Sequence, residues 1–157
     1  MKAEYINPFV SSAMSTLKQF IPDIEIERGK LDVVDSPSQT LGAAVYIGIS
    51  GDIRGRVIYD MGRTTAVKIA SAMNQEDLPG LNDMVRSTIQ ELGNIISGGA
   101  STKLHQELDG KKIDITPPSM IVGDDTEISD SISSKYLVVP LNTNYGQILI
   151  NVNISES

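Results

Sequence analysis

The chain has 157 residues with 20 acidic and 13 basic side chains, a formal net charge of -7 and no cysteine. Its basic residues are scattered singly or in pairs, which argues against nucleic-acid binding, and the lack of cysteine excludes disulfides, thiolate metal sites and cysteine nucleophiles. Since no apolar run approaches the roughly 18 residues of a membrane span and no signal peptide is recognisable, we expect a soluble, cytoplasmic protein with one domain over residues 1–157.

The first elements in chain order are a helix and a strand. Asn7 followed by Pro8 is typical of a helix cap and first turn, and apolar residues recur at helical spacing from there to Phe20. Pro22 is expected to end this helix. Residues 24–28 then alternate between apolar and charged side chains, which predicts a half-buried strand.

A hairpin and a short helix follow. Two β-rich runs, residues 43–49 and 53–59, flank a turn at residues 50–52 and predict an antiparallel hairpin. Residues 64–73 predict a short helix, and residues 74–80 predict the loop that leads to the next element.

The next segment predicts the longest helix, about 25 residues from Asn82 or Asp83 to a stop at Asp109 and Gly110. Its spacing gives one face of mainly apolar side chains, which is typical of a helix that packs on a sheet. The predicted core face consists of Met84, Val85, Thr88, Ile89, Leu92, Ile95, Ile96 and Leu104.

Three polar residues occupy another stripe of this helix. Ser87, Glu91 and Asn94 are separated by four and three residues, and these offsets return to one face of an α-helix. The asparagine is not a base at neutral pH, but its amide can accept a hydrogen bond from a water and hold that water in line for attack. The carboxylate can pair with a cation on a docked partner. This pair hydrolyses nothing alone, so it needs a partner that supplies the electrophile and the metal.

Glycines interrupt the same helix close to Asn94. Each glycine in a helix interior costs about 0.5–1 kcal/mol relative to alanine, so Gly98 and Gly99 need a physical reason. One interpretation is close packing of the helix. The other is that the missing side chains at Gly93 and Gly98 leave room for the backbone of a partner.

The remaining elements are extended. Residues 113–122 contain a Pro-Pro pair at 117–118, which predicts either an interrupted edge strand or two short extended pieces. Residues 136–154 predict a second hairpin with its turn at residues 144–146. Residues 147–154 alternate cleanly and lack Pro and Lys, so we expect a sheet edge able to pair with another copy. The whole pattern predicts an α/β fold with a mixed, largely antiparallel sheet packed with long helices.

Pro117 completes a four-residue spacing with Ser87, Glu91 and Asn94. This spacing resembles the signature of the CheC, CheX and FliY family of bacterial chemotaxis phosphatases, in which an Asp or Ser precedes Glu-x-x-Asn and a Pro follows at this distance. The length and the single copy of the motif are most similar to the CheX branch. The resemblance implies a CheC-like domain that dephosphorylates the aspartyl phosphate of a CheY-type response regulator in chemotaxis.

The resemblance also implies a role for each motif residue. Asn94 orients the attacking water and Glu91 anchors to the active-site lysine of the receiver, which makes these two the candidate catalytic residues, while Ser87 and Pro117 support the site. Mg²⁺ comes with the phosphorylated receiver, so we expect no cofactor or metal in this chain. By the same resemblance we expect a homodimer whose interface excludes Glu91 and Asn94.

Two other functions fit the sequence. A non-catalytic docking module would bind a receiver domain or a flagellar-switch component without turnover. A structural half of a larger assembly would use the exposed strand edge predicted at the end of the chain.

Three further features are interpreted as structural. A second Glu-x-x-Asn at Glu4 and Asn7 lacks the other motif positions. The acidic run at residues 124–130 lacks the glycine and the spacing of an EF-hand and is expected to be a solvated loop. His105, the single histidine, is expected at the surface near the rim of the docking face.

Overall fold

The computed structural model describes residues 3–35, 40–123 and 135–156. A short 3-10 helix, Ala3–Tyr5, leads into the first of the three α-helices in these ranges. The helices are α1 (Asn7–Phe20), α2 (Arg63–Asn74) and α3 (Asp83–Glu107). The strands are β1 (Ile26–Arg28), β2 (Asp32–Val34), β3 (Gly42–Gly51), β4 (Ile53–Gly62), β5 (Ile113–Ile115), β6 (Ser119–Val122), β7 (Tyr136–Thr143) and β8 (Gly146–Glu156). None of the helices in these ranges has the length and apolarity needed to cross a lipid bilayer.

The eight strands of the described ranges form one sheet in the order β1, β7, β8, β4, β3, β5. β2 also pairs with β7, and β6 also pairs with β3, so two short strands lie along each edge. Every pairing between these strands is antiparallel. The predicted α/β class with a largely antiparallel sheet is therefore confirmed.

The hairpin predicted from residues 43–49 and 53–59 is confirmed as β3 and β4. These strands pair along most of their length, and Val45 lies opposite Tyr59 in the register. Both side chains are buried in the main core. Because successive side chains of a strand point to opposite faces, this pair lies on the face that the helices cover and forms part of the floor beneath α3.

The last strand does not form a sheet edge, so that prediction is wrong. β8 lies between β4 and β7 and pairs with both. Its buried asparagines are satisfied by main-chain carbonyls, since Asn151 Nδ2 donates to Ile58 O at 3.3 Å and Asn153 Nδ2 donates to Lys135 O at 3.2 Å. Alternating apolar and polar side chains indicate which face of a strand is buried. They do not indicate whether other strands pair with it on one side or on both, so a central strand and an edge strand have the same sequence pattern.

The segment that contains the Pro-Pro pair forms two short strands in line along one edge of the sheet, so the interrupted edge strand is the predicted alternative that is confirmed. β5 and β6 each pair with β3, and Thr116, Pro117 and Pro118 lie between them. Proline has no N–H group to donate to a strand ladder, so regular pairing is interrupted here, and β6 continues along β3 with its register shifted by one residue.

The three helices pack on one face of the sheet and enclose the main core. Phe9 of α1 and Ile89 of α3 are each 1% exposed, and burying a side chain of this size stabilises the fold by about 1.5–3 kcal/mol. The opposite face of the sheet carries a smaller buried cluster of Ala44, Ile58 and Tyr136. Helix α3 is therefore fixed on its sheet side, and its opposite side faces away from the core.

The start of α1 differs from the prediction in one respect. Asn7 is the first helical residue and makes no capping hydrogen bond, while Ile6 holds the cap position and Pro8 lies in the first turn as expected. The Asn7 Oδ1 atom accepts a hydrogen bond from Arg28 Nη2 at 2.9 Å. The asparagine of the second Glu-x-x-Asn is thus engaged by β1, which agrees with its interpretation as structural.

Candidate functional site

Helix α3 has the length and the ends that the sequence predicts. Its 25 residues begin after Asn82, whose Oδ1 atom accepts a hydrogen bond from the Val85 N–H at 2.9 Å. The chain leaves the helix through Asp109 and Gly110, with φ angles of 56° and 79°. Glycine adopts this left-handed conformation without steric cost, so the stop is encoded locally.

The motif residues lie on the face of α3 that points away from the sheet. The buried residues of the helix are Val85, Ile89, Leu92, Gly93, Ile96, Ser97, Ala100 and Leu104. Ser87 and Glu91 are exposed and Asn94 is half-buried. On a helical wheel these three positions fall within a sector of about 60°, and they span roughly 10 Å along the axis at 1.5 Å per residue. The predicted common stripe therefore has the burial expected of an accessible face.

Three predicted core positions are not buried, because Thr88 and Ile95 are only half-buried and Met84 does not belong to the core. Its side chain is 50% exposed. Met84 precedes Ser87 by three residues and Glu91 by seven, so helical geometry places it on the motif face. The apolar character of Met84 favoured a core assignment, whereas its spacing from the motif residues predicted the observed position.

The three motif side chains are unengaged within the described part of the chain. Among residues 3–35, 40–123 and 135–156, no hydrogen bond or ion pair involves the side chain of Ser87, Glu91 or Asn94. A carboxylate and an amide are thus presented together with their hydrogen-bonding capacity unused. This arrangement suits recognition of a partner's polar groups.

Pro117 lies where the edge strand is interrupted, between β5 and β6. Thr116 holds this segment on β3, since its N–H donates to Gly48 O at 2.9 Å and its Oγ1 accepts from the Gly48 N–H at 2.8 Å. The next carbonyl, Pro118 O, accepts from Gln90 Nε2 at 3.5 Å. The segment that contains Pro117 therefore lies beside the helical turn that carries Glu91. The contact of Gln90 with this segment was not predicted from the sequence. The only sequence signal for it is that Gln90 directly precedes Glu91.

The glycines of α3 divide between the two predicted explanations. A Cβ atom on Gly93 would lie 2.8 Å from Val45 Cγ1, and one on Gly99 would lie 2.6 Å from Ser12 Oγ, so close packing accounts for both. A Cβ atom on Gly98 would meet nothing within 4 Å. Close packing therefore does not explain Gly98. Gly98 follows Asn94 by four residues, so it lies on the same face of the helix.

The other candidate residues form no second site in the described ranges. His105 is exposed, as expected, and its Nδ1 atom lies 2.8 Å from Lys111 O. The acidic run at residues 124–130 lies outside the described residues. Within the described residues, no group of three or more His, Cys, Asp or Glu side chains is arranged to hold a metal ion.

The fold that presents this helix is the fold of CheC-like proteins. A crystal structure of a CheC-like superfamily protein from Shewanella sp. PV-4 has a TM-score of 0.86 to this chain, covers 99% of both chains and is 24% identical. At this identity the likeness shows the shared architecture.

Sequence similarity defines the family more narrowly. The family model described as "Chemotaxis phosphatase CheX" matches residues 43–142, a range that includes all four motif residues. The CheY-P phosphatase CheX of Thermotoga maritima is 35% identical over 129 residues, which are 82% of this chain and 81% of that protein. A chain in the crystal structure of the CheX-CheY-BeF3-Mg+2 complex from Borrelia burgdorferi is also 35% identical, with a TM-score of 0.82 over 99% of this chain and 100% of that one. This chain belongs to the CheX family of chemotaxis phosphatases.

Proposed function

We propose that this protein accelerates hydrolysis of the aspartyl phosphate on a CheY-type receiver domain in chemotaxis signalling. The joint projection of Glu91 and Asn94 from α3, with no partner among the described residues, carries this proposal. The name of the Thermotoga maritima relative and the presence of CheY in the Borrelia burgdorferi complex support a phosphorylated receiver as the substrate.

The chemistry of the pair fits this reaction. Phosphoryl transfer depends mainly on positioning and electrostatics, so a helix that inserts one amide into an assembled site is a sufficient catalyst. We infer that the Asn94 amide accepts a hydrogen bond from the attacking water and aligns it with the phosphorus, while Glu91 pairs with the receiver's active-site lysine. Ser87 borders the same site one turn before Glu91, and Pro117 sets the path of the adjacent loop.

The proposed reaction also has a metal requirement, which the receiver and not this chain supplies. We infer that Mg²⁺ is bound by the phosphorylated receiver and that this chain holds no metal of its own. The Mg²⁺ in the Borrelia burgdorferi complex supports this inference. Dephosphorylation should require Mg²⁺, while calorimetric titration of the isolated protein should show no tight, stoichiometric Mg²⁺ or Zn²⁺ binding. Tight binding of either ion would contradict the inference.

The decisive experiment is phosphate release from a panel of purified CheY-type receivers, phosphorylated with a small-molecule donor in the presence of Mg²⁺. Substoichiometric protein should accelerate dephosphorylation of one of them over many turnovers. Asn94→Ala should lower kcat on the order of 10²-fold with the fold intact, because it removes the group that orients the water.

A second asparagine provides the control. Asn142 of β7 is exposed, and its Oδ1 atom accepts a hydrogen bond from Gln147 Nε2 at 3.0 Å. Asn142→Ala should retain wild-type turnover. Near-wild-type turnover by Asn94→Ala would refute the proposed mechanism, and binding of a receiver without turnover by the wild-type protein would favour the docking module.

We infer that residues 1–157 act as one domain in a cytoplasmic homodimer, since a chemotaxis receiver acts in the cytoplasm and the CheX resemblance implies a dimer. The central position of β8 rules out that strand as the contact edge. The edge formed by β1 and β2 is favoured, because Leu31 and Val33 there are 40% and 51% exposed. An interface at this edge leaves Glu91 and Asn94 accessible to a receiver.

A further inference from the structure

The helical turn that carries Asn94 lies very close to the sheet. Gly93 is buried, and a Cβ atom at this position would lie 2.8 Å from Val45 Cγ1 and 3.4 Å from Tyr59 Cδ2. Carbon atoms in ordinary contact are about 3.5–4.0 Å apart. Only glycine therefore lets α3 approach β3 and β4 this closely at the residue that precedes Asn94.

Tyr59 also reaches the following turn of the helix. Its hydroxyl oxygen lies 2.8 Å from Ser97 Oγ, and the two residues are 2% and 0% exposed. Burial raises the pKa of Tyr59, against a smaller lowering by the hydrogen bond with Ser97, so the phenol stays protonated and available for this bond. The sequence signal for this contact is the place of Ser97 on the core side of the helical wheel, because a buried hydroxyl needs a hydrogen-bond partner.

Helix α1 holds the same stretch of α3 from the other side. Ser12 Oγ donates a hydrogen bond to the Ile96 carbonyl at 2.7 Å, and this contact is buried. Gly93, Ile96 and Ser97 are thus each fixed by a residue from outside α3. Asn94 lies between them, so the position of its amide depends on these contacts.

We propose that Tyr59 is a positioning residue for Asn94, holding the turn of α3 from Gly93 to Ser97 at the height and rotation that the water-orienting amide requires. This inference rests on the proposed function of Asn94. Tyr59 and Ser97 are buried, so a receiver does not touch them. Their loss should therefore affect turnover more than receiver binding.

Kinetics of hydroxyl-deletion variants test the proposal. Tyr59→Phe and Ser97→Ala should each lower kcat on the order of tenfold and leave the KM for the phosphorylated receiver within about twofold, because a small displacement of a catalytic group costs rate rather than affinity. Tyr145→Phe is the matched control, since it removes a hydroxyl that donates to Asp23 Oδ1 at 2.8 Å on the far hairpin turn. Ile53→Val, a buried change at the start of β4, controls for general loss of stability. Wild-type kcat in Tyr59→Phe, or an equal loss in Ile53→Val, would overturn the proposal.

A steric pair tests the same point independently. Gly93→Ala should lower kcat, because the added methyl group meets Val45 Cγ1 and lifts the turn. Val45→Ala removes that atom, so the double variant should recover most of the lost turnover. Failure of the second substitution to restore kcat would show that the close approach at Gly93 does not set the position of Asn94.

Amide hydrogen exchange tests the positioning without the reaction. In Tyr59→Phe, the backbone amides of residues 93–98 should exchange faster than in the wild-type protein, while those of residues 100–107 stay unchanged. Unchanged exchange at residues 93–98 would overturn the positioning role. A wild-type protein that hydrolyses no phosphorylated receiver would instead remove the proposed function, and the exchange data would still decide whether Tyr59 holds this turn.

Discussion

Glu91 and Asn94 share a face but carry different chemistry, so their substitutions should have different kinetic effects. Glu91→Gln keeps the size of the side chain and removes the charge proposed to pair with a receiver lysine. The KM for the phosphorylated receiver should rise about 30-fold, which corresponds to about 2 kcal/mol for a truncated interfacial charge pair, with a much smaller change in kcat. Steady-state kinetics over a range of receiver concentrations measures both.

Salt provides the second readout for the same charge. The wild-type KM should rise with NaCl because screening weakens the ion pair, and the KM of Glu91→Gln should respond less. Glu107→Gln is the control on the same helix, since Glu107 is exposed at its last residue. A wild-type KM and salt response in Glu91→Gln would contradict the docking role.

Asp60 is a buried carboxylate on β4 that makes the stability of the protein depend on pH. It is 5% exposed, and its carboxylate accepts hydrogen bonds from the Leu41 N–H at 3.0 and 3.2 Å. Burial raises the pKa of Asp60 from 3.8 to about 6, against smaller lowering by the Leu41 and Met61 main chain. The folded state thus holds this proton more tightly than the unfolded state, so its contribution to stability is lost as pH rises from about 4 to about 6.

The variant Asp60→Asn tests this linkage, because it keeps an acceptor for Leu41 and cannot ionise. Its stability relative to the wild-type protein should be higher at pH 7.5 than at pH 5 by on the order of 1 kcal/mol, measured by urea unfolding. Asp52→Asn is the control, since Asp52 is exposed and also accepts from a main-chain N–H, that of Lys112, at 2.7 Å. A pH-independent difference for Asp60→Asn would contradict the linkage.

At the scale of the element, α3 contains two neighbouring glycines with different surroundings. Gly98→Ala should raise the free energy of unfolding by about 0.5–1 kcal/mol, because its Cβ would meet nothing within 4 Å and alanine favours the helix. Gly99→Ala should give no such gain, since its Cβ would lie 2.6 Å from Ser12 Oγ. Urea unfolding of both variants measures the difference, and equal effects would contradict the packing argument. If Gly98→Ala also raises the KM for the phosphorylated receiver, the receiver approaches the helix at this residue.

Most elements were predictable because their signals are local. The start of α3 at Asn82 and its stop at Gly110 depend on a side-chain cap and on a left-handed glycine, and both are visible in sequence. The two hairpins were predictable from the turn residues between their strands. Asn7 misled the prediction, because it is the first helical residue and its side chain binds Arg28 of β1 instead of capping α1. Local chemistry thus fixed the elements except where a long-range partner competed.

At the scale of the whole molecule, the dimer has a direct test. Sedimentation equilibrium at micromolar concentration should show a homodimer, and Asn94→Ala should leave it intact because the site lies outside the interface. Val33→Asp should weaken it, since a charge would replace an apolar side chain at the proposed β1 and β2 edge. A monomeric wild-type protein would remove the dimer proposal, and protection of Asn94 by the partner subunit would argue against the phosphatase proposal as well.

The sequence by itself determined the class of fold, the extent of α3 and the stripe that carries Ser87, Glu91 and Asn94, because helical and strand periodicities and turn residues act over a few neighbouring positions. It also carried the family resemblance. Only the tertiary structure decided that β8 is central, that the segment with Pro117 lies beside Gln90, and that Tyr59 lies beneath the turn with Asn94. These are pairings between residues far apart in the chain, and they depend on which faces bury one another, which no local pattern records.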